Sequence, residues 1–324
     1  MKTVILDDWE GHMQQHPALS RLRDFSEVMV YDDKPTFDAL VKRLEGVDAI
    51  IPIRERTHIN RDLVAALPDL KLIAQTGTGL AHIDKDAVAE AGISIATTPG
   101  GSASAVTELT FAFLLNLTKR VAEVDRRMSA GEWPEIITSN LQGKTLGLIG
   151  LGKIGCSVAK MAQAFGMRVI AWGPRLTKER ADREGVEYIS LEGLLTEADA
   201  VSIHVRLVPE TEVLLTAEHF DLMKPSAILI NTSRGRIIDE AALIDALQRK
   251  KIGGAGLDVF CEEPLPQDNV FASLDNIMMT PHMAWKTEET FSSFLTGSID
   301  NIHAFFVGKE PENIVNNPNK KEKK

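Results

Sequence analysis

Arg234, Glu263 and His282 each lie a few residues past a short apolar run of the kind that forms a buried strand. Parallel strands end at a common sheet edge, so these three side chains are expected to lie near one another. A guanidinium holds a carboxylate through two hydrogen bonds, an imidazolium donates a proton, and a nearby carboxylate fixes the imidazole tautomer. Together they suit proton-coupled hydride transfer to a 2-keto acid. Taken singly, Arg234 also fits a surface ion pair, Glu263 a turn residue before proline, and His282 a helix cap.

The stretch from Lys144 to Gly155 is a short apolar run that ends in three glycines spaced Gly-x-Gly-x-x-Gly. The following residues, Cys156–Gly166, have helical spacing. Gly150 permits a tight turn, Gly152 lets a pyrophosphate approach the backbone, and Gly155 lets helix and strand pack closely. The backbone N–H groups and the positive end of the helix dipole then attract phosphate. This pattern predicts a dinucleotide site, and the alternative is a glycine-rich turn that binds nothing.

A chain of 324 residues fits two domains of average size. The first hundred residues alternate apolar runs with helical segments, which indicates a small open α/β sheet. The predicted strands are Val4–Leu6, Val28–Val30, Ala49–Ile53, Leu72–Gln75 and Ile93–Thr97. The predicted helices are Phe37–Leu44, Arg61–Leu67 and Lys85–Ala91.

A turn cluster at Thr97–Ser102 precedes a long apolar helix that is predicted from Ala105 to about Met128. Five more strands after the glycine turn give a predicted second sheet of six strands, namely the run before Gly150 with Arg168–Ala171, Ala200–His204, Ala227–Asn231, Gly256–Phe260 and Ile277–Thr280. A final amphipathic helix at Thr287–Val307 is expected to return to the first domain. The predicted organisation is a domain at 1–99 completed by 287–316, a second domain at 100–286, and a polar tail at 317–324.

The composition narrows the possible partners and the cellular location. A net charge of −10 and a pI near 5.4 argue against nucleic acid as a partner, because phosphate backbones need a basic face. No apolar run approaches the roughly 20 residues of a membrane span, and the first residues are too short a run for a signal peptide. Two cysteines give no disulfide framework. We therefore expect a cytoplasmic protein with no membrane partner, and no metal site is predicted.

The chain resembles the D-isomer-specific 2-hydroxyacid dehydrogenase family, which includes glyoxylate/hydroxypyruvate reductases and phosphoglycerate dehydrogenases. The resemblance covers roughly residues 3 to 315. The motifs that carry it are Thr76–Gly79 with His82–Asp84, Thr98–Gly100, the Gly150–Gly155 turn, Asn231–Asp239, Leu257–Leu265 and Pro281–His282. It implies two Rossmann-like or flavodoxin-like domains with doubly wound parallel sheets, an active site in the interdomain cleft, and a homodimer formed through the cofactor domain.

The same resemblance implies roles for individual residues. Arg234 would bind substrate, His282 would be the acid/base and Glu263 its partner, with Glu262 a spectator. Backbone N–H groups of Gly77, Thr78 and Gly79 would cradle the substrate carboxylate. Arg54 would also lie near the substrate. Trp285 departs from the family pattern, because it is larger than the usual small residue after the catalytic His, and it either shapes the substrate side-chain pocket or packs between domains. Asp258 would meet the nicotinamide amide. Together with the glycine turn and the two residues Gly173 and Arg175 considered next, the expected cofactor-binding residues are Thr78, Gly150, Gly152, Lys153, Ile154, Gly155, Gly173, Arg175, Val205, Arg206, Thr232, Ser233 and Asp258.

One departure from the family pattern bears on the choice of cofactor. NAD-using members carry an acid after the second cofactor-domain strand that holds the ribose 2′-OH, and here Gly173 takes its place, followed by Pro174 and Arg175. A missing carboxylate removes the charge that repels a 2′-phosphate, and Arg175 can pair with one. We therefore favour NADP, with NAD as the alternative. His82 and Ser102 also replace residues that are commonly Asn.

The leading hypothesis is an NAD(P)-dependent enzyme that reduces a small anionic 2-keto acid, such as glyoxylate or hydroxypyruvate, to the D-2-hydroxy acid, or the reverse. A second possibility within the same superfamily is a dehydrogenase of a small anion such as formate or phosphite. A third, from another class, is a dinucleotide-sensing binding protein of the corepressor type.

Overall fold

The computed structural model describes residues 1–316. The predicted polar tail at 317–324 lies outside the described residues. The described residues form two units: one contains Met1–Ser102 and residues 286–316, and the other contains Ala103–Trp285. From the sequence, the first domain was predicted to end at residue 99 and the second at residue 286. The predicted class, two α/β units that each contain a doubly wound parallel sheet, is confirmed.

The first unit begins with five parallel strands in the order β5-β4-β3-β1-β2. The strands are β1 (Lys2–Leu6), β2 (Glu27–Val30), β3 (Ala49–Pro52), β4 (Leu72–Gln75) and β5 (Ser94–Thr97), and the helices are α1 (His12–Gln15), α2 (Leu19–Arg23), α3 (Phe37–Arg43), α4 (Arg61–Ala65) and α5 (Lys85–Glu90). The central strands β3, β4 and β5 are buried along their whole length, which is why they read as continuous apolar runs. Side chains cap two of the helices: Asn60 accepts the Leu63 N–H and Asp84 accepts the Ala87 N–H.

The second unit opens with two helices, α6 (Ala103–Lys119) and α7 (Val121–Ser129). The prediction of one continuous helix from Ala105 to Met128 was therefore wrong. Arg120 takes left-handed backbone angles, with φ 55° and ψ 35°, which ends the first helix. The side-chain oxygen of Asn116 then accepts the N–H of Ala122 at 2.8 Å and helps start the next helix.

All strand pairings of the second sheet are parallel, in the order β12-β11-β10-β9-β6-β7-β8. The strands are β6 (Thr145–Ile149), β7 (Arg168–Trp172), β8 (Glu187–Tyr188), β9 (Ala200–Ile203), β10 (Ile228–Asn231), β11 (Gly254–Leu257) and β12 (Ile277–Met279). The α-helices are α8 (Lys153–Ala164), α9 (Lys178–Arg183), α10 (Leu191–Glu197), α11 (Ala217–Leu222) and α12 (Glu240–Gln248), with 3₁₀ turns at Pro209–Thr211, Gly235–Ile237 and Val270–Ser273.

Apart from one-residue shifts at the ends of four strands, this sheet differs from the prediction in two respects. It has seven strands in the described residues rather than six, because the two-residue edge strand β8 is exposed and carries no apolar run. Strand β11 begins at Gly254 and ends at Leu257, whereas Gly256–Phe260 was predicted. The start of this strand was not predicted because Gly254 and Gly256 carry no apolar side chain. Gly256 must be small, since a Cβ there would approach the Phe113 ring to 2.7 Å. Asp258 consequently follows the strand.

The chain returns to the first unit through α13 (Glu288–Phe306) and β13 (Ile314–Asn316). Strand β13 pairs antiparallel with β5 and completes a six-stranded sheet. This strand was not predicted, because it is only three residues long. Helix α13 packs on β4 and β5, and Asn301 Nδ2 donates to the Thr97 carbonyl oxygen at 3.1 Å. Among residues 1–316, no helix combines the length and the apolarity needed to span a bilayer.

Candidate active site and cofactor site

The glycine turn lies between β6 and α8 at the point where the order of the second sheet reverses, between β6 and β9. Gly150 has φ +104°, and a Cβ there would come within 2.7 Å of the His204 carbonyl carbon. A Cβ on Gly155 would overlap the Gly150 carbonyl oxygen. These two glycines are therefore required by the fold itself.

Gly152 differs from its neighbours in this respect. No atom lies within 4 Å of a Cβ built on it, and its φ of −83° is open to any residue. The protein's own packing therefore gives no reason for a glycine at this position. It is the N-cap of the twelve-residue helix α8, where backbone N–H groups and the helix dipole favour an anion. Lys153 and Ile154 follow as the first residues of that helix. The open space at this helix N-terminus is of the kind that favours a phosphate group.

Residues after β9 and β10 lie at the same carboxyl edge of this sheet. Val205 and Arg206 follow β9, and Val205 Cγ1 would lie 2.9 Å from a Cβ on Gly150. Ser233 Oγ donates to the Ile203 carbonyl oxygen at 2.8 Å, which ties the two strand ends together. Thr232 is 9% exposed, and its hydroxyl has no hydrogen-bond partner among the described residues. A buried hydroxyl of this kind suits a polar ligand.

His282 and Glu263 form the pair that the sequence suggested. Nδ1 of His282 lies 2.7 Å from Oε2 of Glu263, and Oε1 of the same carboxylate accepts the Phe260 N–H at 3.0 Å. Burial alone would raise the pKa of Glu263, but the hydrogen bond with His282 and the nearby charges, Arg234 among them, lower it overall. Glu263 is thus a carboxylate at neutral pH. His282 has φ 49°, a left-handed conformation that is costly for a side chain of its size and that is often found at functional sites.

Asp258 holds the turn that carries His282. Its side chain is fully buried and accepts three hydrogen bonds, from the Thr280 hydroxyl at 2.5 Å and from the Met283 and Ala284 N–H groups at 2.8 Å. Its own carbonyl oxygen accepts the His282 N–H at 2.8 Å. Burial raises the pKa of Asp258, and these hydrogen bonds oppose the increase.

Arg234 follows β10 in extended conformation. Its Nη1 donates to the Ser233 carbonyl oxygen at 2.7 Å, and its own carbonyl oxygen accepts Asn231 Nδ2 at 2.9 Å. Asn231 also accepts the Ser233 N–H through Oδ1. Asn231 therefore fixes this strand end, a role that was not predicted from the sequence. Its position as the last residue of an apolar strand was the available signal.

The residues expected near the adenosine end follow β7. Gly173 is buried and Arg175 is exposed. A second arginine, Arg180 in α9, donates from Nη2 to the carbonyl oxygen of Leu151 at 2.9 Å, so its guanidinium reaches the glycine turn. Arg180 lies on a polar helix five residues beyond Arg175, and nothing in the sequence pattern indicated its contact with the turn.

The remaining predicted residues do not share one unit. Arg54 and Gly77–Gly79 belong to the first unit, whereas the other predicted cofactor residues belong to the second. Trp285 is buried and is the last residue of the second unit. In the first unit, the Gly77 N–H donates to the Thr98 hydroxyl at 2.7 Å. This N–H is already used inside the protein, which leaves the N–H groups of Thr78 and Gly79 from the predicted carboxylate cradle.

Comparison with known proteins identifies the class. Residues 111–284 match the model of the D-isomer specific 2-hydroxyacid dehydrogenase, NAD binding domain. The chain therefore belongs to the D-isomer-specific 2-hydroxyacid dehydrogenase family and is an oxidoreductase with a nicotinamide dinucleotide-binding domain, which confirms the resemblance seen in its motifs.

Individual relatives are similar over most of the chain. It is 38% identical to a glyoxylate reductase of Aeropyrum pernix, with 92% of each chain covered. It is 37% identical to a D-3-phosphoglycerate dehydrogenase of Methanocaldococcus jannaschii, with 93% of this chain and 58% of the relative covered. The crystal structure of the TT0316 protein from Thermus thermophilus superposes with a TM-score of 0.89 at 37% identity, covering 98% of this chain and all of the other. These similarities do not favour the formate/phosphite or corepressor alternatives.

Proposed function

We propose that this protein reduces a small 2-keto acid of the glyoxylate or hydroxypyruvate type to the D-2-hydroxy acid with NAD(P)H. The observation that carries the proposal is the 2.7 Å contact between His282 and Glu263, at the sheet edge that also holds the glycine turn. A histidine held by a carboxylate is an efficient proton donor to a developing alkoxide. Relatives named glyoxylate reductase support the substrate class.

The chain's own residues supply everything except the hydride. The glycine turn and the N-terminus of α8 would hold the pyrophosphate, Thr232 and Val205 would line the site, and the bound nicotinamide would supply the hydride to the keto carbon. His282, with Nδ1 facing Glu263, would present Nε2 to the keto oxygen and give it a proton. Arg234 would bind the substrate and polarise its carbonyl.

In the first unit, the backbone N–H groups of Thr78 and Gly79 would bind the substrate carboxylate, with Arg54 beside them. Arg54 has φ 57°, so it shares with His282 an unusual left-handed conformation. Trp285 remains a proposed contact of the substrate side chain.

We propose NADP rather than NAD as the preferred cofactor. Gly173 supplies no carboxylate to repel a 2′-phosphate, and two arginines, Arg175 and Arg180, follow it along the chain. Arg180 is already anchored to the Leu151 carbonyl oxygen, which supports a role next to the cofactor.

We propose a homodimer formed through the cofactor-binding unit. Helix α7 buries none of its residues, and Trp133 and Ile137 on the segment that follows are 81% and 98% exposed. Apolar side chains exposed in one continuous segment are typical of a protein interface. Light scattering is expected to show a dimer, and Ile137→Asp is expected to shift it towards monomer. The cytoplasmic location stays a prediction.

A panel of 2-keto acids assayed with NADPH and with NADH tests the proposed activity. Reduction of glyoxylate or hydroxypyruvate, faster with NADPH, is the expected result. Cofactor binding without turnover of any member of the panel would contradict the enzymatic proposal and favour a sensing role.

A further inference from the structure

The loops that follow β6 and β7 pack against each other at the glycine turn. The Gly150 N–H donates to the Trp172 carbonyl oxygen at 2.7 Å, and a Cβ on Gly173 would lie 3.7 Å from the Gly150 Cα. Helix α9 adds a third contact, because Nη2 of Arg180 donates to the Leu151 carbonyl oxygen at 2.9 Å. The middle of the glycine turn is therefore held by a side chain from a separate helix.

Two donors reach the Leu151 carbonyl oxygen. Besides the Arg180 guanidinium, the Cys156 thiol lies 3.6 Å from this oxygen and contributes a weak hydrogen bond. The bond from Arg180 is the stronger of the two, because its donor is charged. Arg180 therefore has the larger part in fixing the direction of this carbonyl.

The direction of the Leu151 carbonyl also sets the direction of the next N–H group. Within residues 1–316 the cis peptide bond is Glu263–Pro264, so the bond between Leu151 and Gly152 is trans. In a planar trans peptide the C=O and N–H bonds point in opposite directions. Arg180 holds the C=O on one side, and the Gly152 N–H consequently points to the other. In the part of the chain that the structure describes, this N–H has no hydrogen-bond partner.

The Gly152 N–H therefore belongs with the free N–H groups at the start of α8. The first N–H groups of any helix have no partner inside the helix, and here Lys153 and Ile154 supply them. An anion at this helix end accepts a hydrogen bond from Gly152 only while the Leu151–Gly152 peptide keeps its orientation. The affinity of such a site falls with the fraction of molecules in the competent orientation.

The contact also separates the role of Arg180 from that of Arg175. A residue that orients the glycine turn acts on the pyrophosphate, which NAD and NADP both contain. A residue that pairs with a 2′-phosphate acts on NADP alone. Because the Arg180 guanidinium is engaged with the turn, the proposed preference for NADP depends mainly on Gly173 and Arg175.

We propose that Arg180 is a positioning residue of the cofactor site, which orients the Leu151–Gly152 peptide so that the Gly152 N–H can donate to the pyrophosphate. This inference rests on the dinucleotide site of the proposed function. It gives a residue outside the glycine turn an equal role in the binding of NADH and NADPH.

The test replaces Arg180 by Met, which keeps the apolar stem of the side chain and removes its charge and its donors. The dissociation constants of NADH and NADPH, measured by fluorescence, are both expected to rise about fivefold, the effect of losing one charge-assisted hydrogen bond near the surface. The ratio to wild type is expected to persist at high salt, because a hydrogen bond to a neutral carbonyl is screened less than a long-range attraction.

Arg183→Met is the matched control. Arg183 is exposed on the same helix, and its Nε donates to the Glu179 carbonyl oxygen at 3.4 Å rather than to the turn. This variant is expected to leave both dissociation constants unchanged.

Three outcomes of the binding measurements would overturn the inference. Unchanged constants in Arg180→Met would show that the contact has no part in binding. A rise confined to NADPH would make Arg180 a contact of the 2′-phosphate instead. A ratio that disappears at high salt would mean that Arg180 acts only through long-range attraction.

The NMR signal of the Gly152 amide gives a readout that does not depend on the variant. In wild-type protein this signal is expected to move downfield when NADH is added, because the N–H gains an anionic acceptor, and to move less in Arg180→Met at saturating NADH. A Gly152 signal that NADH leaves in place in wild-type protein would contradict the proposed orientation, and so would equal shifts in the two proteins. If wild-type protein binds neither NADH nor NADPH, the proposed function itself fails.

Discussion

Replacing Glu263 by Gln removes the negative charge 2.7 Å from His282 and leaves a neutral group that can still accept its hydrogen bond. A hydrogen bond to a charged group contributes about 1.5–3 kcal/mol and a neutral one about 0.5–1.5 kcal/mol. These two ranges differ by at most about 2.5 kcal/mol. Because the two side chains are 29% and 35% exposed, solvent screening places the actual difference in the lower part of that span, at about 1–1.5 kcal/mol. That difference predicts a loss of about 5- to 13-fold in kcat/KM for 2-keto acid reduction.

The assay is the initial rate of glyoxylate reduction, followed by the loss of reduced nicotinamide absorbance, with cofactor affinity measured separately by fluorescence. Glu262→Gln is the matched control, because Glu262 is the exposed neighbour of the same type. It is expected to retain wild-type kcat/KM, and neither variant is expected to change cofactor affinity. A Glu263→Gln protein with undiminished kcat/KM would refute the assigned partnership. A loss explained wholly by weaker cofactor binding would refute it as well.

Three further predictions address the cofactor site and the buried histidine. Arg175→Ala is expected to raise the KM for NADPH more than the KM for NADH, and an equal effect on both would remove the argument for a 2′-phosphate contact. Gly152→Ala is expected to leave the melting temperature unchanged, since its Cβ meets nothing within 4 Å, and to weaken cofactor binding at least about tenfold. Gly155→Ala, by contrast, is expected to lower the melting temperature. Unchanged cofactor affinity in Gly152→Ala would argue against the phosphate cradle. Burial lowers the pKa of His82 to about 4, below its ordinary value of 6.5. Between these pH values the unfolded chain binds a proton that the folded chain does not, so the free energy of unfolding falls as the pH drops, by about 2 kcal/mol near pH 5. His82→Asn is expected to lose less stability than wild type between neutral pH and pH 5 in urea unfolding, and identical losses would contradict this assignment.

Much of the fold was visible in the sequence because parallel strands buried on both faces must be continuous apolar runs. Strand β4 was predicted with its observed bounds, Leu72–Gln75. The errors have physical causes. Arg120 interrupts a helix through a left-handed turn that needs no glycine or proline, and β11 starts with glycines that carry no apolar side chain.

The candidate site was partly visible for the same reason. Residues that follow parallel strands meet at one edge, so the pairing of His282 with Glu263 could be anticipated from their positions. The charge of Glu55 against Gly79 could not be anticipated, because it depends on how two separate loops pack. The internal use of the Gly77 N–H by Thr98 is likewise a tertiary contact between strand ends.

The most direct test of the proposed chemistry is a single-turnover measurement on His282→Ala with bound NADPH and saturating glyoxylate. The variant is expected to bind NADPH with wild-type affinity and to reduce glyoxylate at least about a hundredfold more slowly, since a positioned acid contributes rate factors of that order. Reduction at the wild-type rate by His282→Ala would mean that the proton comes from another group and would contradict the assignment.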